Sequence, residues 1–183
     1  MIYVFLANGF EEVEALTPVD ILRRVEKKVV TVGVGSEIIR GSHGIPVVTD
    51  TIDSEIVLND ELEMIILPGG MPGTLNLGNS EFVIKAIDYC VKNNIYIGAI
   101  CAAPSVLGQR GLLKGRKATC YYGFENQLFD ADVIIDKPVV CDGNIITSRG
   151  CGTAFEFAFT LAQVLTSESR IKALKEAVIW NNQ

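Results

Sequence analysis

The chain has a single histidine, His43, among 183 residues. That scarcity excludes sites built from several imidazoles and leaves one candidate base for any Cys-His-acid triad. His43 lies in a Gly-Ser-His-Gly turn well before the central cysteine and is read as a surface loop residue. Positive charge is also scarce: 16 Lys and Arg face 22 Asp and Glu, a net charge of -6. The basic residues are scattered and form no stripe able to neutralise phosphates, so nucleic acid is not expected as a partner. No apolar run approaches the ~20 residues that span a bilayer. Met1 leads straight into a short apolar segment without a basic leader, so no membrane partner and a cytoplasmic location are expected.

The chain also lacks C-x-x-C spacing. Its five cysteines, Cys90, Cys101, Cys120, Cys141 and Cys151, are dispersed and odd in number. This argues against a disulfide scaffold, a structural zinc site and a dithiol redox motif, and at least one thiol is expected to be free. One histidine and dispersed cysteines do not make the usual zinc ligand set, so no metal site is expected. Internal repeats, low-complexity tracts and linkers are missing too, which leaves residues 1–183 as a single domain.

What is present is a compact composition, 49% hydrophobic and 21% charged, arranged as alternating strand and helix signals. Ile2–Leu6 reads as a buried strand. A helix follows, starting either at Thr17 with Pro18 in its first turn, or near Glu11 with Pro18 inside it. Further strands are read at Val29–Val34, Leu62–Leu67 and Ile95–Ile100, with a shorter pair at Glu37–Arg40 and Ile45–Val48. Asn79 or Ser80 opens a helix through Val91. Shorter strands are read at Lys117–Tyr121 and Val133–Ile135, and Asp142-Gly143 between apolar pairs signals a hairpin. Thr153 and Glu156 have capping-box spacing ahead of a helix over Phe155–Leu165, and a last helix runs from Ser169 to Trp180. The order predicts an α/β sandwich around a mainly parallel sheet.

The stretch IYIGAICAAPSVLG, Ile95–Gly108, organises the rest. Cys101 falls where a β-branched run gives way to Ala-Ala-Pro-Ser, a strand turning directly into a helix. At such a corner the side chain stands at the end of the sheet beside the helix's first free N–H groups, which favour thiolate over thiol. Cysteine is equally a small hydrophobe that is often buried and inert, and this stretch alone leaves both readings open. In a parallel sheet, sites gather outside the carboxyl ends of the strands. There the loops Asn8–Glu14 and Pro68–Gly73 would join Cys101. Gly69 and Gly70 could turn peptide N–H groups toward an oxyanion, with Ala102 N–H as a further donor, although Pro-Gly-Gly is also an ordinary tight turn. Glu11, Glu12 and Glu14 are all candidates for an acid beside the thiol, and pattern does not choose among them. Gly150-Cys151-Gly152 before a helix is a weak phosphate-site signal, because the full glycine pattern is missing.

The sequences NGFEEVEALTPVDILRR, ILPGGMPGTLNL, GAICAAPSVL and TSRGCGTAFEFA, in that order, closely resemble the ThiJ/PfpI superfamily in its DJ-one-like, deglycase-like branch. The resemblance covers nearly the whole chain. It implies a flavodoxin-like three-layer sandwich related to class I glutamine amidotransferases, a homodimer, and a reactive cysteine at a nucleophile elbow. By position, Cys101 matches the family cysteine and Glu14 the glutamate whose protonated carboxyl bonds its sulfur. Gly69 and Gly70 match the oxyanion-side glycines, and Arg149 and Gly150 match a loop that approaches the site. Two departures stand out. Ala102 replaces the histidine of the protease-like branch, which argues against peptidase activity, and Tyr121 aligns where animal members place a histidine near the cysteine.

These implications lead to a glyoxalase or deglycase acting on methylglyoxal, glyoxal or their early adducts through Cys101 and Glu14, with no metal or organic cofactor. The alternative is a non-enzymatic oxidative-stress sensor or redox-regulated chaperone acting through Cys101 oxidation.

Overall fold

The computed structural model describes residues 1–180; the single-domain reading of 1–183 extends three residues past them. Strand β1 (Ile2–Leu6) is apolar throughout because it is buried on both sides. Ile2, Val4 and Leu6 enter one core cluster, while Tyr3 and Phe5 enter the other. The sheet is therefore the middle of three layers.

Helix α1 (Glu12–Arg24) begins at the earlier of the two readings, with Pro18 inside it. Pro18 has no N–H to donate to the Glu14 carbonyl one turn back. The helix is held instead by burial of Ala15, Val19, Ile21 and Leu22. Strand β2 (Val29–Gly33) follows, then an antiparallel pair outside the main sheet, β3 (Ile38–Arg40) and β4 (Pro46–Val48), and a short strand β5 (Thr51–Ile52). Strand β6 (Met64–Leu67) leads to α2 (Gly73–Asn79), a helix that its two glycines hide from a propensity reading. Ser80 then caps α3 (Glu81–Asn93), its hydroxyl accepting the Val83 N–H at 3.4 Å.

Strand β7 (Tyr96–Ile100) and helix α4 (Pro104–Gln109) flank Cys101 as expected. Strands β8 (Lys117–Ala118) and β9 (Asp132–Val133) are shorter than read and pair with each other, outside the main sheet. The hairpin of β10 (Val139–Asp142) and β11 (Ile145–Ser148) precedes α5 (Ala154–Gln163) and α6 (Glu168–Ala177).

The main sheet has the order β10-β11-β7-β6-β1-β2-β5, and every neighbouring pair is parallel except β10–β11. Helices α1, α5 and α6 cover one face, and α3 and α4 the other. The carboxyl ends of β1, β6, β7 and β11 lie side by side, which brings the loops after them together. Among the described residues, no helix is long and apolar enough to cross a membrane.

Candidate active site

The β7–α4 corner is sharp enough to force Cys101 into the left-handed region, with φ of 65°. A side chain is disfavoured there by roughly 1–2 kcal/mol, so the surrounding hydrogen bonds must hold it. Cys101 N–H donates to the Ser148 carbonyl at 3.0 Å, continuing the β11–β7 ladder, and its own carbonyl accepts the Tyr121 N–H at 2.8 Å. The corner is thus clamped from two neighbouring segments.

Two peptide N–H groups and one carboxyl converge on the sulfur. Glu14, in the first turn of α1, is 1% exposed. Its Oε2 accepts the Gly69 N–H at 3.0 Å, and its carboxyl hydrogen-bonds Cys101. The N–H groups of Gly70 and Ala102 are directed at Cys101 Sγ. Gly69 was expected beside them as an oxyanion donor, but its N–H is engaged by Glu14. Its role is to fix the acid and to leave space. A Cβ on Gly69 would lie 2.5 Å from the Cys101 Cβ and 2.5 Å from Glu14 Oε2.

Electrostatics tie the acid and the thiol into one unit. Burial pushes the Glu14 carboxyl up to about 7, aided by the nearby charge of Glu11 and opposed by the hydrogen bonds from Cys101 and Gly69. With Glu14 ionised, burial and that adjacent charge push the Cys101 thiol up to about 12, against the pull of the Gly70 and Ala102 N–H groups. The two groups are therefore not both charged near neutrality. The pair carries at most one negative charge there.

The remaining expected residues form one wall of an adjoining cleft of about 460 Å³. Gly150 approaches closely: a Cβ on it would lie 3.2 Å from the Tyr121 ring and 3.7 Å from Glu14 Oε1. Tyr121 lines this cleft and gives its N–H to the elbow. Arg149 is engaged within this wall. Its guanidinium sits 4.5 Å from the Tyr122 ring centroid and donates to the Ile135 carbonyl. His43 is remote from the sulfur's hydrogen bonds, with an exposed ring that meets Glu12 at 3.0 Å.

Thr153 is a functional neighbour that pattern misassigned. Its hydroxyl makes no cap to α5. It contacts the Ser148 hydroxyl at 2.7 Å, accepts the Gly150 N–H at 3.1 Å and donates to the Gly150 carbonyl at 2.9 Å. These bonds secure the loop that passes over Glu14. The hydroxyl has one set of donors and acceptors, and the local loop captures it before the helix does.

A family model described as the DJ-1/PfpI family matches residues 1–164. The chain belongs to the DJ-1/PfpI family. It is 35% identical over 178 residues to Protein dj-1beta of Drosophila melanogaster, spanning 96% of this chain and 95% of that relative. The crystal structure of Drosophila melanogaster DJ-1beta matches with a TM-score of 0.92 at 34% identity, covering 99% of this chain and 98% of that one. Similarity extends to relatives with named activities. Glutathione-independent glyoxalase DJR-1.2 of Caenorhabditis elegans is 33% identical over 165 residues, 90% of this chain and 87% of its own. Deglycase PfpI of Pyrococcus furiosus is 33% identical over 161 residues, 87% of this chain and 95% of its own. Within this DJ-1/PfpI chain, the pair Cys101–Glu14 and the peptide groups of Gly69, Gly70 and Ala102 form the most concentrated chemical feature described above.

Proposed function

We propose that the chain is a glyoxalase or deglycase that acts on methylglyoxal, glyoxal and their early adducts with thiols and amines, using Cys101 as nucleophile and Glu14 as proton carrier. The observation that carries this reading is the buried Glu14 carboxyl set against the Cys101 thiol at the elbow, with the Gly70 and Ala102 N–H groups directed at the sulfur. Membership of a family with relatives named glyoxalase and deglycase supports the substrate class.

The negative charge of the pair is assigned to sulfur. There it meets the N–H groups of Gly70 and Ala102 and the Glu14 O–H, whereas on Glu14 it would meet the Gly69 N–H and a weak S–H donor. The thiolate attacks the aldehyde carbon, forming a C–S bond, and the carbonyl oxygen takes the proton from Glu14 to give a hemithioacetal. Glu14, now a carboxylate, removes the proton from the former aldehyde carbon and returns it to the neighbouring carbon, while the hemithioacetal hydroxyl gives its proton to the ketone oxygen, so that the enediol formed on the way collapses to a hydroxy thioester and Glu14 is left as the carboxylate. Water cleaves the C–S bond, yielding the hydroxy acid and returning the proton to Glu14. Methylglyoxal plus water gives lactic acid, with no net oxidation.

The test is lactate formation from methylglyoxal by the purified chain. Cys101→Ser is expected to abolish it. Glu14→Gln keeps a donor to sulfur but carries no transferable proton, and is expected to lower kcat about a hundredfold. Turnover undiminished in Cys101→Ser, or no lactate from the wild-type chain, would overturn the reading.

A further inference from the structure

The start of α1 meets the turn between β3 and β4 in a second polar cluster, separate from the sulfur. Glu11, Glu12 and His43 each offer a donor atom there, and these atoms lie within 4.8 Å of one another. His43 Nδ1 is 3.0 Å from Glu12 Oε2 and 3.6 Å from Glu11 Oε1. Ligands on a tetrahedral zinc ion, bound at about 2.0–2.2 Å, stand about 3.4 Å apart, so the observed separations bracket a ligand–ligand edge.

The donors are also held in place before any ion arrives. Glu12 Oε1 accepts the His43 N–H at 2.9 Å and the Ile45 N–H at 3.4 Å, which leaves Oε2 facing the imidazole. Glu11 is anchored through its own N–H, which donates to the Gly69 carbonyl at 3.0 Å. The Ser42 hydroxyl lies 3.1 Å from both Glu11 Oε2 and His43 Nδ1, a further oxygen beside the three. Among the ion pairs of the described residues, Glu11 and Glu12 meet no Lys or Arg, only His43. Arg40, on the adjoining strand, turns its guanidinium to the Gly44 carbonyl instead. Two adjacent carboxylates thus face one imidazole and no fixed cation, while the His43 side chain, 68% exposed, leaves an open path from solvent.

We propose that Glu11, Glu12 and His43 form a binding site for a divalent first-row transition cation, zinc foremost, that fastens the start of α1 to the β3–β4 turn. One imidazole and two carboxylates suit zinc, with water completing the coordination. The sequence hides this site because its ligands are some thirty residues apart and none belongs to a spaced His or Cys motif.

The probe is cobalt(II) chloride, titrated into the full chain and followed by absorbance, with zinc chloride then added to displace it. The wild-type chain is expected to bind one equivalent with visible d–d bands and no thiolate-to-metal charge-transfer band. His43→Ala and Glu11→Gln should each bind at least tenfold more weakly, with circular dichroism confirming the fold, since the His43 ring is exposed. Unchanged affinity in His43→Ala, a thiolate charge-transfer band on the bound ion, or no stoichiometric binding by the wild-type chain would each overturn the proposal.

Discussion

Cys101 and Glu14 face each other across the backbone of Gly69, so closely that a single added carbon on that glycine would stand 2.5 Å from the cysteine Cβ and 2.5 Å from the carboxyl oxygen. The acid reaches this position from a different strand's loop, in the first turn of α1, and the Gly69 N–H holds it there. The pair is a product of tertiary structure, and its chemistry depends on space that only glycine leaves.

Gly69→Ala is accordingly expected to separate the pair. Overpacking of this kind destabilises by about 1–3 kcal/mol, and the displaced Glu14 would no longer reach the sulfur. The expected outcome is a folded but less stable chain with little methylglyoxal turnover, checked by thermal melts alongside lactate assays. Full activity would show that the glycine's space is dispensable.

The elbow itself carries a stability signature. Cys101 has φ of 65°, which glycine adopts freely and alanine does not. Cys101→Gly is expected to be more stable than Cys101→Ala by about 1 kcal/mol, with both inactive. Denaturant melts compare the two, and equal stabilities would argue against stored strain at the corner.

Glu14 gives the folded chain a defined pH dependence. Its carboxyl titrates at about 7 when folded, against 4.5 for the free group. Between these values the folded chain keeps a proton that the unfolded chain has released, so stability falls as pH rises across that window. The loss reaches about 3 kcal/mol above the window. Glu14→Gln should remove this slope and gain on the wild type as pH rises from 4.5 to 7. Urea unfolding across that range checks the sign, and parallel curves for the two chains would refute it.

Much of the fold was legible because its signals are local. The apolar run Ile2–Leu6 and the turn from Ile100 into Ala102-Ala103-Pro104 declare buried strands and the elbow without reference to the rest of the chain. Less was legible where the deciding contacts are distant. Glu11, Glu12 and Glu14 share one helical turn, and the resemblance, not spacing, singled out Glu14. The structure shows how they part: Glu12 faces the β3–β4 turn, while Glu14 faces Gly69 and the sulfur. Gly69 was read as an oxyanion donor because a free N–H in a glycine loop looks available, and only the fold reveals the Glu14 carboxyl oxygen that occupies it. Helix α2 escaped notice because Gly73 and Gly78 are poor helix formers, and Thr153 because its cap spacing was real while its hydroxyl bonded Ser148 and Gly150.

The most direct test of the Cys101–Glu14 pair is a pH titration of thiolate absorbance in the far ultraviolet, taken as the difference between the wild-type chain and Cys101→Ser. A thiolate held by Gly70, Ala102 and a protonated Glu14 predicts a Cys101 signal that rises well below the ordinary thiol value of about 8.5. A signal that emerges only above the ordinary thiol value of about 8.5 would place the charge on Glu14 and contradict the assignment of Cys101 as the resting nucleophile.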